Sequence, residues 1–325
     1  MENSVLERVR RSAQRTTKGE THDLVFQAMG THCRVKCRLP RASDASVFQN
    51  DVLNWVAAFE ATYSRFIPES LIGRINANAG EGWVEIDPET ERLFELCGQL
   101  VFTTRGAFDP TALPLIRLWN WKADPPIIPS ADQISAAREL VGWSKVQRKP
   151  GAIFLPKAGM CIDLGGIGKE FAADRVFAMA QERGIENVLV DFGQDIRAHG
   201  QPADKPAWHI GLQDPKEPAR CWTGLAIKDS AVATSGDYFR AFTLDGKRYG
   251  HIIDPRTGYP VSNGCMAVSV IAPSCTIAGL LSTTAFILGP QEGISFISNF
   301  LGAEGCVLSE RGTFTTRKFQ TYVAP

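Results

Sequence analysis

IDLGGIGKEFAADRV, residues 162–176, joins three kinds of local structure in one short stretch. An apolar strand ends at Asp163, and Gly165, Gly166 and Gly168 turn the chain. A helix then runs from Gly168 to Arg183 and stops at Gly184. Exposed amides at a helix N terminus attract phosphate, and glycine lets an anion come close. The segment is not a Walker A loop, because Asp163 and Glu170 stand where that loop needs Gly and Ser or Thr. Nor is it GxGxxG, since Phe171 takes the place of the third glycine. The alternative reading is a packed strand–turn–helix corner whose glycines only relieve crowding.

The same interleaving continues outward from this corner. Residues 24–38 predict a first strand with MGT, 29–31, inside it. Ser43 or Asp44 predicts the cap of a helix to about Tyr63, and Asp87-Pro88 opens another to about Thr104. Short strands are predicted near 83–86, 143–148, 152–155 and 160–163, with an irregular proline-rich connection over 111–130. Further strands are predicted near 187–191, 207–212, 224–227, 231–234, 249–253 and 266–271. Helices near 275–288 and 291–300 precede a final strand pair. The mixture reads as α+β or α/β in one compact unit.

The length, 325 residues, is enough for a large core, and 44% apolar with 22% charged residues is ordinary for a globular protein. Lys plus Arg and Asp plus Glu balance at 35 each. That balance argues against nucleic acid or an anionic membrane as the main partner, and no segment is apolar for long enough to predict insertion into a membrane. The eight cysteines include no CxxC pair and read as small buried residues in a reducing compartment. The polar first twenty residues predict a loosely ordered segment, 1–22, ahead of a domain at 23–325, in a cytoplasmic protein.

A second segment, HIIDPRTGYP at 251–260, puts an imidazole, a carboxylate and a guanidinium among Pro255, Gly258 and Pro260. Such a turn either holds a ligand or is a tight hairpin satisfying its own backbone. Smaller stretches likewise set polar residues among glycines and prolines or at the ends of apolar runs. They are SRFIPESLIGRIN (64–76), GAFDPTALPL (106–115), LVDFGQDIRAHG (189–200), ATSGDYFR (233–240) and AGLLSTTAFILG (278–289). Asp109 before Pro110 is by itself an ordinary turn former.

Taken together and in this order, these segments resemble the ApbE family of FAD:protein FMN transferases, over about residues 24–310. The resemblance implies an α+β fold with mixed sheets, flanking helices and an FAD cleft between two lobes. It implies Mg²⁺-dependent transfer of the FMN half of FAD to a Ser or Thr hydroxyl of an acceptor protein, releasing AMP. Carried over by position, Met29, Phe66, Ala107, Phe108, Asp109, Asp163, Lys169, Ser235, Tyr238 and His251 line the FAD site. Lys169 and His251 are the expected catalytic residues. The Gly166 carbonyl and Thr283 hydroxyl match metal ligands, with Ser282 as a helper.

The departures are equally specific. The family's metal-binding carboxylate lies four residues before the residue matching Thr283, and here that position is Gly279. No Asp or Glu occurs from 262 to 291. Glu170 stands where the family has Gly after the basic residue, and Gln194 interrupts a Gly-Gly pair before Asp195. Two alternatives therefore stand beside transfer: a protein that binds FAD without chemistry, and an FAD pyrophosphatase yielding FMN and AMP. The missing carboxylate predicts that Gly279→Asp tightens Mg²⁺ binding. A contact between Asp109 and the adenosine half predicts that Asp109→Ala weakens FAD more than FMN.

Overall fold

The computed structural model describes residues 2–238 and 240–324. Among them, a nine-stranded antiparallel sheet forms the centre of the molecule. Its strands are β1 (Gln14–Lys18), β2 (Thr21–Ala28), β3 (Thr31–Arg38), β4 (Val188–Phe192), β5 (Asp195–His199), β6 (Ser230–Gly236), β7 (Cys265–Ala272), β8 (Glu304–Ser309) and β9 (Gly312–Thr315). Neighbours in the sheet are neighbours in this sequence of strands, so helices and hairpins are inserted between successive strands without reordering them.

The helices are α1 (Glu2–Ser12), α2 (Ala42–Tyr63), α3 (Leu71–Ala77), α4 (Pro88–Thr103), α5 (Leu113–Leu118), α6 (Ala131–Arg138), α7 (Gly168–Glu182), α8 (Cys275–Leu288) and α9 (Pro290–Ser298). Helix α7 buries Ala172, Ala173, Val176, Met179 and Ala180, a spacing that lays one face on the sheet. Helix α8 is buried almost all round, packed on β6 and β7 and between α7 and α9. Strand β7 is correspondingly buried on both faces, whereas β2 alternates. The hairpin of Trp208–Gln213 and Cys221–Ile227 covers the opposite face around Ile196, Val232 and Ile271. A small satellite core of Leu115, Trp119, Ile134, Val141 and Ile253 lies under the loop-rich side. The α+β class and the flanking helices are those the sequence implied; the sheets, expected to be mixed, pair antiparallel throughout the described residues.

Several local expectations are corrected. The segment expected to be loosely ordered forms α1 and β1, and Val5 and Val9 of α1 are buried in the main core. Its apolar residues are too few to stand out in a polar stretch, yet they fall four apart on one helical face. Residues 24–38 are two strands and not one. The two-residue loop Met29-Gly30 turns between them, both residues at positive φ (52° and 70°), as a type I′ hairpin requires. The proline-rich stretch contains α5, and α6 begins at a capping box formed by Ser130 and Gln133. Strand β5 was not expected, and no strand is assigned at 160–163. Seven cysteines are buried, Cys221 is exposed, and all are free.

Candidate functional site

Two hairpin turns set the floor of the site. Strands β2 and β3 end in Met29-Gly30, and strands β4 and β5 end in Gly193-Gln194, where φ is again positive at both residues. Because β3 pairs with β4 through Cys33 and Phe192, the two turns lie at the same end of the sheet. A Cβ at Gly193 would sit 2.5 Å from Thr31 Oγ1, so glycine is what lets the turns touch. Gln194 carries a left-handed backbone that the family's glycine would adopt without cost. The end of β6 brings Thr234, Ser235 and Gly236 to the same side.

The N terminus of α7 closes this end. Asp163 holds the glycine turn, its Oδ1 accepting from Gly165 N at 3.0 Å while pairing with Arg65 Nε at 3.2 Å. Gly166 lets the turn approach Phe108, whose Cε2 lies 3.3 Å from where a Cβ would stand. The result is a cavity of about 2020 Å³, larger than the roughly 300–1,000 Å³ that suffices for a drug-sized ligand. Every binding and metal residue expected from the sequence lines it. Met29 and Phe66 lie at its rim, with Phe66 78% exposed and the Arg65 guanidinium 4.2 Å above its ring. Ala107, Phe108 and Asp109 form one wall; Asp163, Gly166 and Lys169 line the α7 side; Ser235, Tyr238, His251, Ser282 and Thr283 complete it.

The polar groups divide into those already satisfied and those that are not. Asp109 is satisfied: Oδ1 accepts from Thr111 N (2.8 Å) and Oγ1 (2.6 Å), and Oδ2 accepts from Trp143 N (2.9 Å). Its carboxylate shapes the 107–112 loop and has no oxygen left over, as a turn former would. Asp254 and Arg256 likewise satisfy each other through Nε and Nη2 contacts of 2.9 and 2.8 Å. Trp119 Nε1 pins the same turn by donating to Gly258 O at 2.8 Å. Tyr238 donates its hydroxyl to Gln213 Oε1. His251 differs, because its Nδ1 is buried without a hydrogen-bond partner among the described residues. Burial first, and then the nearby Arg240 charge, push its pKa down to about 4, so the ring is neutral at pH 7.

Lys169 projects from the first turn of α7 between two carboxylates. Its Nζ lies 2.5 Å from Asp195 Oδ2 and 3.5 Å from Glu170 Oε1. Burial opposes its charge, but Glu170 and Asp195 outweigh that and raise its pKa. Burial, followed by Glu170, raises that of Asp195. Asp195 and Glu170 are site residues that sequence reasoning did not select; a carboxylate directly after a Gly turn at a strand end was the available signal for Asp195. Beside them, Ser235 Oγ bridges Ser282 Oγ and Thr283 Oγ1, both at 2.8 Å.

Among the described residues no group of three or more His, Cys, Asp or Glu is arranged to hold a metal. The cavity is lined instead by the hydroxyl-bearing Ser235, Ser282 and Thr283 and by Gly166, with one buried carboxylate oxygen, Glu170 Oε2, that has no partner among the described residues. Hard oxygen donors of this sort suit Mg²⁺. No helix among the described residues is long and apolar enough to cross a membrane.

Comparison with known proteins agrees with this geometry. The ApbE family model matches residues 29–307. The FAD:protein FMN transferase of Treponema pallidum is 31% identical over 296 residues, covering 85% of this chain and 81% of that protein. The enzyme of that name from Vibrio cholerae is 30% identical, covering 82% and 81%. In structure, the ApbE protein of Thermotoga maritima superposes with a TM-score of 0.84 at 31% identity, covering 94% of this chain and all of that one. The flavin transferase ApbE of Vibrio cholerae gives 0.81 at 27% identity, covering 95% and 99%. On the extent of these matches, the chain belongs to the ApbE family.

Proposed function

We propose that this chain is an FAD:protein FMN transferase. It moves the FMN half of FAD onto a Ser or Thr hydroxyl of an acceptor protein and releases AMP. The observation that carries this reading is the convergence of separated motif segments on one cavity in an ApbE-family chain. In the reaction the acceptor oxygen attacks the FMN-side phosphorus, and the bond from that phosphorus to AMP breaks. The hydroxyl gives up its proton, and AMP leaves with the electron pair.

Charge builds on the phosphoryl oxygens as this happens, so catalysis consists of positioning and neutralisation. Lys169, fixed by Asp195, is a permanent cation at the phosphate end of the cavity. The N terminus of α7 adds the positive end of a helix dipole. Neutral His251 lines the cavity and presents its ring to the ligand. Phe66 and Phe108 provide ring faces for flavin or adenine. A bound Mg²⁺ supplies positive charge to the pyrophosphate oxygens. In this reading Gly166, Ser282 and Thr283 help to hold it. The reaction belongs in the cytoplasm, in keeping with eight free cysteines.

The test is to incubate the protein with FAD, Mg²⁺ and a peptide carrying an acceptor Ser or Thr. AMP together with a flavin mass adduct on the peptide is the expected result. AMP and free FMN without an adduct indicate a pyrophosphatase, and intact FAD indicates a binding protein; either outcome overturns the proposal.

A further inference from the structure

The two substitutions at the junction of α7 and α8 are spatially one event. A Cβ built on Gly279 would stand 2.7 Å from Glu170 Cγ, 3.0 Å from its Oε1 and 3.2 Å from its Cδ. Real Cβ atoms essentially never come as close as the 2.7 Å to Cγ, and the other two distances are tight, so the Glu170 side chain occupies space that a side chain at 279 would need. Glu170 is only 7% exposed and lines the cavity. Its Oε2 has no hydrogen-bond partner.

A carboxyl group buried with one oxygen unpartnered is costly unless something completes it. Among the described residues, Glu170 and Asp195 both pair with the same ammonium, that of Lys169. A single ammonium thus serves two buried carboxylates. Beside the gap, Ser282 Oγ donates to Gly279 O at 3.0 Å, and the Ser235, Ser282 and Thr283 hydroxyls form a cluster. A carboxylate oxygen without a partner, next to neutral oxygen donors, is an environment that suits a hard divalent cation.

We propose that Glu170, reaching across from α7 into the space opened by Gly279, supplies the carboxylate ligand of the divalent cation in this chain. The inference rests on the FAD transferase reading for its purpose, and on the geometry alone for the site. The carboxylate has changed helices: α8 gives up a side chain at 279, and α7 gains one at 170. The sequence expectation for Gly279→Asp is thereby reversed. An aspartate added at 279 collides with Glu170 and does not improve the site.

Mn²⁺ binding, followed by electron paramagnetic resonance and calorimetry with and without FAD, tests the assignment. Wild type is expected to bind one Mn²⁺, and Mg²⁺ to compete for it. Glu170→Gln, which keeps the shape and removes the charge, is expected to weaken Mn²⁺ about tenfold or more. The same variant is expected to melt higher than wild type in the absence of metal, and to gain less from Mn²⁺. A purely structural role for Glu170 predicts a lower melting point instead. Gly279→Asp alone is expected to melt lower and to bind Mn²⁺ no better. The double variant Glu170→Gly, Gly279→Asp is expected to recover Mn²⁺ binding.

Wild-type Mn²⁺ affinity in Glu170→Gln overturns the proposal, as does tighter binding in Gly279→Asp with Glu170 present. FAD binding without any Mn²⁺ binding overturns it too, while leaving the flavin reading intact. Mn²⁺ binding that depends on Glu170, in a protein with no affinity for FAD, upholds the ligand assignment and removes the transferase reading.

Discussion

The turn at 251–260 and the corner at 162–176 look alike in sequence, since both crowd charged residues among glycines or prolines. Their charges end up in opposite conditions. In the turn, Asp254 and Arg256 neutralise each other and Trp119 locks the backbone, so His251 is the titratable side chain of 251–260 that lines the cavity. In the corner, Lys169 is shared by two carboxylates, and a Glu170 oxygen is buried with nothing to accept from. A polar motif thus indicates function only through the groups that its own fold leaves unsatisfied.

Removing the shared cation is the most severe way to disturb the corner. Lys169→Met leaves Glu170 and Asp195 buried together, which is expected to cost about 3 kcal/mol in urea unfolding. It is also expected to lower the rate of AMP release by about 10²–10³-fold, as loss of one charge-stabilising donor does. The corresponding change in the turn, Asp254→Ala, is expected to cost about 1–2 kcal/mol of stability and to leave FAD affinity unchanged.

Within the turn, His251→Gln separates the unsatisfied group from the satisfied pair. FAD affinity is expected to fall about tenfold by fluorescence titration, as for one lost hydrogen bond to the ligand. The folded pKa of His251, about 4, lies below the ordinary value of 6.5, so the unfolded chain takes up the proton first. Its contribution to stability is complete above pH 6.5 and is lost as the pH falls towards 4. Wild type should therefore lose stability more steeply than His251→Gln in that window, and its ring resonances should titrate near 4. A midpoint near 6.5 shows a solvated ring.

Two smaller effects test the walls of the cavity. Asp109→Ala is expected to weaken FAD and FMN equally, by about 1 kcal/mol each, because both oxygens are spent on the 107–112 loop and on Trp143. A selective loss of FAD restores the adenosine contact expected from the sequence. Gln194→Gly is expected to raise stability by about 1 kcal/mol by relieving a left-handed backbone.

The strong periodic helices and the α+β class were legible in the sequence. So were the segments that meet at the cavity, because each carries glycine, proline or an isolated charge where a plain element would not. The N-terminal helix was hidden because its anchors, buried Val5 and Val9 with Leu6 packed beside them, are few in a polar stretch. The hairpin at Met29-Gly30 was missed because the apolar run of β2 passes directly into the alternation of β3, with a single glycine to mark the turn. The trade between positions 170 and 279 was visible as two departures. They could not be joined, because nothing in the one-dimensional order shows that α7 and α8 touch there.

The decisive experiment is titration of the purified protein with FAD, followed by quenching of flavin fluorescence. Saturable binding of one FAD per chain is expected, weakened by Lys169→Met and by His251→Gln but not by Asp254→Ala. Absence of measurable affinity for FAD, with or without Mg²⁺, would refute a flavin site in this cavity.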